Sequence, residues 1–411
     1  MREKSLLLFV FLFFFTFTCR EKAVQVTEKD EKIIPTPPEE EKKDIATAIS
    51  ADDIQEHVST FMEPEKKAAM IVADMEDNAL TGQVIIAGLD GQENLGWTMR
   101  RLLMENPPGA IMLFSYNLNT DKETARSLLA ECVRIIADVS LVPFMAVDHE
   151  GGDVHRFGFP MRKLPSAASV RFRVLAVGQE RALEELEYQA FLSGTEIRSV
   201  GITMNFAPVA EILTPENAAF LQNRSFGPDG DFVEDASAAF IYGMRRAGVA
   251  CVVKHFPGNA AVDPHKAKPV LDADAQTVGI LVKPFGGLVR KVNPSAIMLS
   301  HVVVSTWDKE RNASLSPIAV QRLRELGFEG IVIADDFSMS AVSNISAENA
   351  AVQALNVGVD MVMAWPRNLA TTRRSLENAL KNNVIKRERL VEAAVRIVAQ
   401  KIRSGILEVD L

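Results

Sequence analysis

One stretch of the sequence indicates both the fold and the position of a functional loop. It reads Gly248-Val249-Ala250-Cys251-Val252-Val253-Lys254-His255-Phe256-Pro257-Gly258. Residues 249–253 are apolar and rich in β-branched side chains, which is typical of a strand buried in a parallel sheet. Lys254 and His255 follow at once, and parallel α/β proteins keep their chemistry at that end of their strands. The Pro-Gly pair then shapes a turn. We therefore expect a functional loop here; the alternative is that both polar side chains only leave the core for solvent.

The order of apolar strand, loop and amphipathic helix recurs along the chain. The predicted strands are 84–88, 110–114, 143–147, 202–207, 249–253, 296–299, 330–334 and 360–363. Eight such units predict an α/β fold with one (β/α)8 TIM barrel, and an open doubly wound sheet is the alternative. The barrel is favoured because polar residues recur just beyond strand ends, where barrel loops converge on one mouth. These residues are Asn117, Asp148, Asn205, Lys254, His301 and Asp335.

Helical patterns lie between the predicted strands. Thr120 and Glu123 form a candidate capping box, and Ala125, Leu128, Cys132 and Ile135 keep helical spacing after it. Further helices are predicted at 180–198, 233–246, 279–291, 316–326, 346–356, 369–381 and 386–403. No linker followed by a second set of strands is visible, so the sequence predicts a single catalytic domain over 45–411.

The composition is that of a soluble globular protein with an acidic balance. The chain has 411 residues, is 47% hydrophobic and 24% charged, and carries a formal net charge of −9. A nucleic-acid-binding surface would need a basic face, so nucleic acid is not expected as a partner. The three cysteines, Cys19, Cys132 and Cys251, are too few for a disulfide framework or a zinc site. The latter two are expected to be unreactive core residues.

The N-terminus has the pattern of a signal peptide, predicted over 1–19. A basic start precedes an apolar run at 6–17, which as a helix reaches only about 18 Å and is too short for a ~30 Å hydrocarbon core. Cys19 ends the run and resembles the lipidation site of a bacterial lipoprotein; an ordinary cleaved signal is the alternative. Residues 20–44 are charged and proline-bearing, as in a disordered linker. The sequence thus predicts an exported protein, periplasmic or on the outer surface, anchored to a membrane through Cys19.

Asp335 is the first polar residue after the seventh predicted strand. A carboxylate at this position faces the mouth of a barrel and can attack or stabilise an electropositive carbon. Its neighbour Asp336 is expected to point to a loop amide or a helix N-terminus. The alternative is that the pair only caps the next helix.

Two further loops carry groups suited to a polyhydroxylated ligand. Asp148 and Arg156 lie on the loop after the third predicted strand, where an acid and a guanidinium can make paired hydrogen bonds. Arg224 lies in Asn223-Arg224-Ser225-Phe226-Gly227, after the fourth strand. A solvated surface arginine is the alternative there.

Together these stretches resemble glycoside hydrolase family 3, in particular its single-domain β-N-acetylglucosaminidases, or β-N-acetylhexosaminidases, which act on cell-wall fragments. The resemblance covers nearly the whole globular part. It is carried, in the family's order, by Phe114-Ser115-Tyr116-Asn117, Val147-Asp148-His149-Glu150-Gly151-Gly152, Leu164-Pro165-Ser166-Ala167, Asn205-Phe206-Ala207-Pro208-Val209, Asn223-Arg224-Ser225-Phe226-Gly227, Lys254-His255-Phe256-Pro257-Gly258 and Asp335-Asp336-Phe337-Ser338-Met339.

The resemblance implies a retaining exo-acting hydrolase of β-linked amino sugars that needs no metal or cofactor. Asp335 would be the nucleophile, and His265 with Asp263 would be the general acid/base. A His at this place titrates near neutrality, and the adjacent carboxylate stabilises its charged form. The sugar would be held by Asp148, Arg156, Arg224, Lys254 and His255.

The loop between Gly258 and Asp263 departs from the family pattern. It reads Asn-Ala-Ala-Val, shorter than the run usual in the family, and Pro264 stands where a small polar residue is usual. This keeps open a sugar-binding lipoprotein without turnover. A glucosidase or xylosidase of the same family is a second alternative. A third is a metal-dependent barrel hydrolase, whose ligands would be His255, Asp263, His265 and Asp335.

Overall fold

The computed structural model describes residues 64–260, 262–263, 266, 268–339, 342 and 344–408. The predicted signal peptide, Cys19 and the linker lie outside the described residues, as does His265. Predictions for these parts of the chain therefore stay predictions.

A parallel sheet that closes on itself lies at the centre of the fold. Its eight strands in the described part of the chain are Ile85–Gly88, Ala110–Leu113, Phe144–Val147, Met204–Asn205, Ala250–Phe256, Ala296–Leu299, Ile331–Ala334 and Val362–Ala364. Each strand pairs with the next, and the eighth pairs with the first. A parallel bridge between Ile333 and Met361 joins the seventh strand to the eighth. The fold is therefore the predicted (β/α)8 barrel and not the open doubly wound sheet.

Helices alternate with these strands. They are 64–73, Asp77–Gln83, Trp97–Glu105, Ser115–Leu118, Lys122–Ala137, Ala167–Val177, Gln179–Val200, Ala218–Leu221, Gly230–Arg246, Ala275–Val292, Pro317–Glu325, Ala347–Asn356, Leu369–Lys381 and Arg387–Arg403. A two-stranded ladder of Val270–Leu271 and Val303–Val304 lies outside the barrel sheet. Among the described helices, none has the length and apolar character needed to cross a membrane.

The helix Lys122–Ala137 illustrates how apolar spacing builds the shell. The four residues predicted to share one face, Ala125, Leu128, Cys132 and Ile135, are all buried. Each large aliphatic side chain buried in this way contributes about 1.5–3 kcal/mol. The predicted capping box at Thr120 is wrong, because the carboxylate of Asp121 accepts the N–H groups of Glu123 and Thr124 instead.

The fifth strand is longer than predicted. It continues through Phe256, which pairs with Leu299 of the sixth strand after a register shift. Lys254 and His255 consequently lie on the strand, with only 3% and 7% of their surface exposed. The alternative in which both side chains leave for solvent is wrong, because backbone pairing of Lys254 with Pro208 and Ala210 extends the strand.

Cys132 and Cys251 are buried in the core. Burial raises the pKa of both thiols to about 12, so neither forms a reactive thiolate at neutral pH. The prediction that they are unreactive core residues is confirmed.

Candidate active site

A cavity of about 270 Å³ opens among the carboxyl ends of the strands. Pockets for drug-sized ligands usually measure ~300–1,000 Å³, so this one suits a smaller molecule. Its charged and polar lining consists of Asp148, Glu150, Arg156, Arg224, Lys254, His255, Asn259, Asp335 and Asp336. The six predicted nucleophile and sugar-holding residues, which are Asp148, Arg156, Arg224, Lys254, His255 and Asp335, are thus brought together around one cavity.

One wall of the cavity is charged and consists of Asp148, Glu150, Arg156, Arg224 and Lys254; we call it the charged wall. Lys254 lies at its centre. Its ammonium lies 2.6 Å from Asp148 Oδ1 and 2.7 Å from Glu150 Oε1. Burial by itself would lower the pKa of Lys254, but the two carboxylates outweigh it and raise this pKa above the usual value. The lysine is therefore a fixed positive charge and not a neutral base.

Glu150 joins this lysine to Arg224. The guanidinium donates from Nε to Glu150 Oε2 at 2.8 Å and from Nη2 to Oε1 at 2.9 Å. Burial alone would raise the pKa of Glu150, yet Lys254 and Arg224 hold it well below its usual range. The surface alternative for Arg224 is wrong, because this bidentate pair holds it against the cavity. Glu150 itself was missed as a site residue, although it lies within the quoted Asp148 motif.

Arg156 adds a second cation beside Asp148. Its Nη2 atom lies 3.5 Å from Asp148 Oδ2, and its side chain is 31% exposed. The first oxygen of the same carboxylate is bound to Lys254. Asp148 is thus oriented by two cations while it lines the cavity, as an acceptor for ligand hydroxyl groups must be.

His255 is oriented by a buried carboxylate that the sequence analysis missed. Its Nδ1 lies 2.6 Å from Glu211 Oε1, and Glu211 is 1% exposed. The second oxygen of Glu211 accepts the backbone N–H of Asn259 at 2.6 Å. Glu211 therefore fixes both the imidazole and the start of the loop that leads to Asp263.

Asp335 lies at the cavity with 9% of its surface exposed. Burial would raise its pKa, but the positive potential of His301, His255 and Lys254, with the Asp336 amide, lowers it. That amide donates to Asp335 Oδ1 at 2.8 Å. No described residue donates a hydrogen bond to the other oxygen, so an ionised carboxylate oxygen is available at the cavity.

The carboxylate of Asp336 makes different contacts from that of Asp335. It accepts the N–H of Ser338 at 2.8 Å and the indole N–H of Trp365 at 3.1 Å. The next α-helix in the described part of the chain, Ala347–Asn356, is capped by Ser346 instead. The carboxylate therefore points to a loop amide as expected, and the alternative that the pair caps this helix is wrong.

The predicted acid/base pair is described only in part. Asp263 has a side chain 25% exposed, and its Oδ2 lies 3.8 Å from the Lys266 ammonium. The placement of His265 lies outside the described residues. Within the described ranges, no group of three or more His, Cys, Asp or Glu side chains is arranged to hold a metal ion.

Some polar residues predicted at the mouth support the loops instead. Asn205 exchanges two hydrogen bonds of 2.9 Å with the backbone of His149. Asn117 donates to the carbonyl of Leu89 at 2.9 Å. Both ring nitrogens of His301 have partners, at 2.7 and 2.9 Å. These side chains satisfy buried backbone or hydroxyl groups and so position the loops around the cavity.

The sequence of the chain is similar to those of known hydrolases. Residues 78–400 match the family described as "Glycosyl hydrolase family 3 N terminal domain". A beta-hexosaminidase of Methylococcus capsulatus is 34% identical over 291 residues, which cover 68% of this chain and 82% of that protein. Beta-hexosaminidase LpqI of Mycobacterium tuberculosis is 30% identical over 306 residues, which cover 71% of this chain and 75% of that protein.

Solved structures give the same relationship. A family 3 beta-N-acetylglucosaminidase from a Paenibacillus species superimposes with a TM-score of 0.74 at 27% identity; the match covers 82% of this chain but only 65% of that one. The beta-N-acetylhexosaminidase of Beutenbergia cavernae gives a TM-score of 0.71 at 25% identity, and the match covers 80% of this chain and 99% of that one.

Proposed function

The chain belongs to glycosyl hydrolase family 3, and from this premise we propose that it is a retaining, exo-acting β-N-acetylhexosaminidase. It releases a terminal β-linked N-acetylhexosamine from a glycan. The observation that carries the proposal is the position of Asp335, an ionised and buried carboxylate at a small cavity whose other wall is a network of fixed charges. This arrangement supports covalent catalysis on one bound sugar.

The charged wall supplies the contacts that one sugar ring needs. Asp148 offers carboxylate oxygens as acceptors, while Lys254 and Arg156 offer donors for neighbouring hydroxyl groups. Because Lys254, Asp148 and Glu150 hold one another at 2.6 and 2.7 Å, these groups are in place before the sugar arrives. Preorganisation of this kind reduces the cost of binding. A cavity of about 270 Å³ has room for one ring, which supports exo action.

The first chemical step forms a bond between Asp335 and the anomeric carbon. The free carboxylate oxygen attacks that carbon as its bond to the glycosidic oxygen breaks. His265, paired with Asp263, gives a proton to the departing oxygen, so the leaving group departs as a neutral alcohol. The product of this step is a covalent glycosyl-aspartate.

The second step restores the enzyme. His265 takes a proton from water as the water oxygen attacks the anomeric carbon and the bond to Asp335 breaks. Two inversions at the same carbon give net retention of configuration. The roles of Asp263 and His265 come from the family resemblance, and the short loop 259–262 makes them the part of the proposal that most needs a test.

The N-terminal pattern supports a location outside the cytoplasm. The apolar run at 6–17 ends at Cys19, and a charged stretch of 20–44 separates it from the barrel. We propose that Cys19 is acylated and that the barrel acts on cell-wall-derived glycans while tethered to a membrane. Incorporation of labelled palmitate into the full chain, but not into Cys19→Ser, would support acylation; equal labelling of both would contradict it.

The activity itself is tested with the full chain and two chromogenic aryl glycosides. We expect hydrolysis of the aryl β-N-acetylglucosaminide, little of the β-glucoside, and a loss of about 10⁴-fold or more in kcat/KM for Asp335→Asn. The matched control is Asp138→Asn on the exposed surface. Preference for the glucoside would favour the glucosidase alternative. Sugar binding without turnover would favour the binding-protein alternative.

A further inference from the structure

A second cavity adjoins the active-site cavity and has a different character. It measures about 390 Å³ and is lined by Asp90, Phe114, Tyr116, Trp365, Pro366 and Arg367. Phe114 and Trp365 line both cavities, so the two are adjacent. The active-site cavity has a wall of charged groups beside an apolar lining, whereas half of the described residues around this one are aromatic and the only charged residues among them are Asp90 and Arg367.

Three of these rings form a platform, which we define as Phe114, Tyr116 and Trp365. The rings of Phe114 and Tyr116 are parallel within 1° at a centroid distance of 6.1 Å. The ring of Phe114 meets that of Trp365 edge to face at 5.2 Å. Tyr116 is 49% exposed. The platform thus presents ring surface to solvent beside the reactive carboxylate.

The platform is held in a defined position. The hydroxyl of Tyr116 donates to the carbonyl of Leu89 at 2.8 Å. The indole N–H of Trp365 donates to Asp336 at 3.1 Å. Gly88 ends the first strand beneath this indole, and a Cβ atom there would lie 2.3 Å from its ring. Glycine at position 88 therefore gives Trp365 the space it occupies.

The order of the strands places the platform on the leaving-group side. The sugar-holding residues lie on or after the third, fourth and fifth strands, and Asp335 follows the seventh. Tyr116 follows the second strand and Trp365 the eighth, across the mouth from Lys254. A sugar that reaches from the charged wall to Asp335 directs its anomeric carbon, and the group attached to it, towards the platform.

We propose that the second cavity binds the second sugar ring of the substrate, so that the leaving group is recognised as a pyranoside. The apolar C–H face of that ring packs on Tyr116 and Trp365, as apolar surface packs on aromatic rings elsewhere. Asp90 and Arg367, both exposed at the rim, are placed to hydrogen-bond its substituents. The inference rests on the proposed function and adds the substrate class, a β-linked disaccharide or longer glycan.

The test compares two substrates that share the first sugar. One is the neutral β-linked disaccharide of N-acetylglucosamine, and the other is N-acetyl-β-glucosaminyl fluoride, whose leaving group is too small to reach the platform. For the full chain, we expect Tyr116→Ala and Trp365→Ala to lower kcat/KM for the disaccharide by about 10- to 100-fold. Fluoride release is expected to change by less than about threefold in Tyr116→Ala.

Three further variants separate the roles of the ring and of its hydrogen bonds. Trp365→Phe loses the bond to Asp336 but keeps a ring, so it is expected to retain more disaccharide activity than Trp365→Ala. Tyr116→Phe likewise loses the hydrogen bond to Leu89 but keeps a ring, so it is expected to retain more disaccharide activity than Tyr116→Ala. Trp97→Ala removes an aromatic side chain that is 72% exposed outside both cavities, and it should alter neither activity.

Each outcome decides the inference. Unchanged disaccharide hydrolysis in Tyr116→Ala, or an equal fall for both substrates, would overturn it and leave the proposed function intact. Fluoride release without any disaccharide hydrolysis by the unmodified chain would overturn it as well. Failure of the unmodified chain on both substrates would remove the proposed function and the inference with it.

Discussion

Two clusters of buried charged side chains lie at opposite ends of the barrel. They differ in whether their charged groups face a cavity. The upper cluster, at the carboxyl ends of the strands, consists of Asp148, Glu150, Arg224 and Lys254. The lower cluster, beside the amino end of the eighth strand, consists of Asp360, Arg324, Arg389 and Arg396. Both join acidic and basic groups that the sequence places far apart.

The lower cluster is closed. Asp360 has no exposed surface and accepts from Arg324 at 2.9 Å, from Arg396 at 3.0 Å, from Arg389, and from the Val332 amide at 2.9 Å. Its arginine partners come from two helices packed around that end of the barrel, Pro317–Glu325 and Arg387–Arg403. Residues at this end of a TIM barrel serve stability and not catalysis.

The upper cluster is open on one side. All four of its members line the active-site cavity, and among the described residues the second oxygen of Asp148 has only the longer 3.5 Å contact with Arg156. The same pairing that keeps these groups charged also aims them at a ligand. Buried ion pairs alone therefore do not identify the site; their position at a cavity beside an ionised Asp335 does.

Of the two clusters, the upper one is expected to give the larger effect when it is broken with Lys254→Met. Asp148 and Glu150 then lose their shared cation, and stability should fall by about 3–5 kcal/mol, as for a buried pair that loses one partner. We expect kcat/KM to fall by about 10³-fold or more, because the sugar also loses a donor. Urea unfolding and hydrolysis of an aryl N-acetylglucosaminide measure the two effects.

Lys401 offers a matched control for this variant. It has no exposed surface, bonds to Gln83 at 2.7 Å away from both cavities, and has its pKa lowered by burial to about 7. Lys401→Met should leave kcat/KM within about twofold. A similar loss of activity in both lysine variants would mean that the upper cluster acts only through stability.

The next effect is expected at the lower cluster, in stability alone. Asp360→Asn leaves three arginines around a neutral amide, so unfolding should become easier by about 3–5 kcal/mol. The folded enzyme should keep kcat/KM within about twofold. Urea unfolding followed by circular dichroism, with kinetics below the transition, tests both statements. A tenfold loss of activity in folded protein would remove the contrast between the clusters.

The smallest expected effect is on the pH dependence of kcat/KM, and it reports on the ionisation of Asp335. Its pKa is lowered in the folded protein, so the carboxylate is charged above the usual value of about 3.9 and loses its charge only as pH falls through the lower folded-state pKa. A glycosyl fluoride needs no general acid. We therefore expect kcat/KM for fluoride release to vary by less than about twofold between pH 7 and pH 5.

The same pH profile distinguishes the two clusters. Lys254 is one of the charges that lower the pKa of Asp335, so in Lys254→Met the acidic fall in kcat/KM should begin at a higher pH. Asp360→Asn should leave the pH at which this fall begins unchanged. An acidic fall near pH 6 in the unmodified chain would contradict an ionised, charge-stabilised Asp335.

Local patterns were enough to predict the eight barrel strands and the positions that follow them, but not the ladder of Val270–Leu271 and Val303–Val304. Asp335, Asp148 and Lys254 are predicted as site residues because each of them directly follows an apolar run. The strand limits differ from the prediction, as at Phe256, because pairing with Leu299 extends the strand beyond the end of its apolar pattern.

Contacts between side chains on different strands could not be read from local patterns. Lys254 and Asp148 meet although they are 106 positions apart, and Glu211 reaches His255 across 44 positions. These groups lie on or after the third, fourth and fifth strands, and the pairing of those strands in the sheet brings them into contact. The aromatic residues Tyr116 and Trp365 carried a weaker signal, since each follows a strand, but a ring there is equally compatible with core packing.

The most direct test of the account is to trap the covalent intermediate. The full chain is incubated with a 5-fluoro derivative of N-acetyl-β-glucosaminyl fluoride, whose ring fluorine slows the second step, and the digested protein is sequenced by mass spectrometry. The account predicts one added sugar on Asp335 and none on Asp336, and no adduct in Asp335→Asn. An adduct on another residue, or turnover of ordinary substrate with no adduct at Asp335, would contradict it.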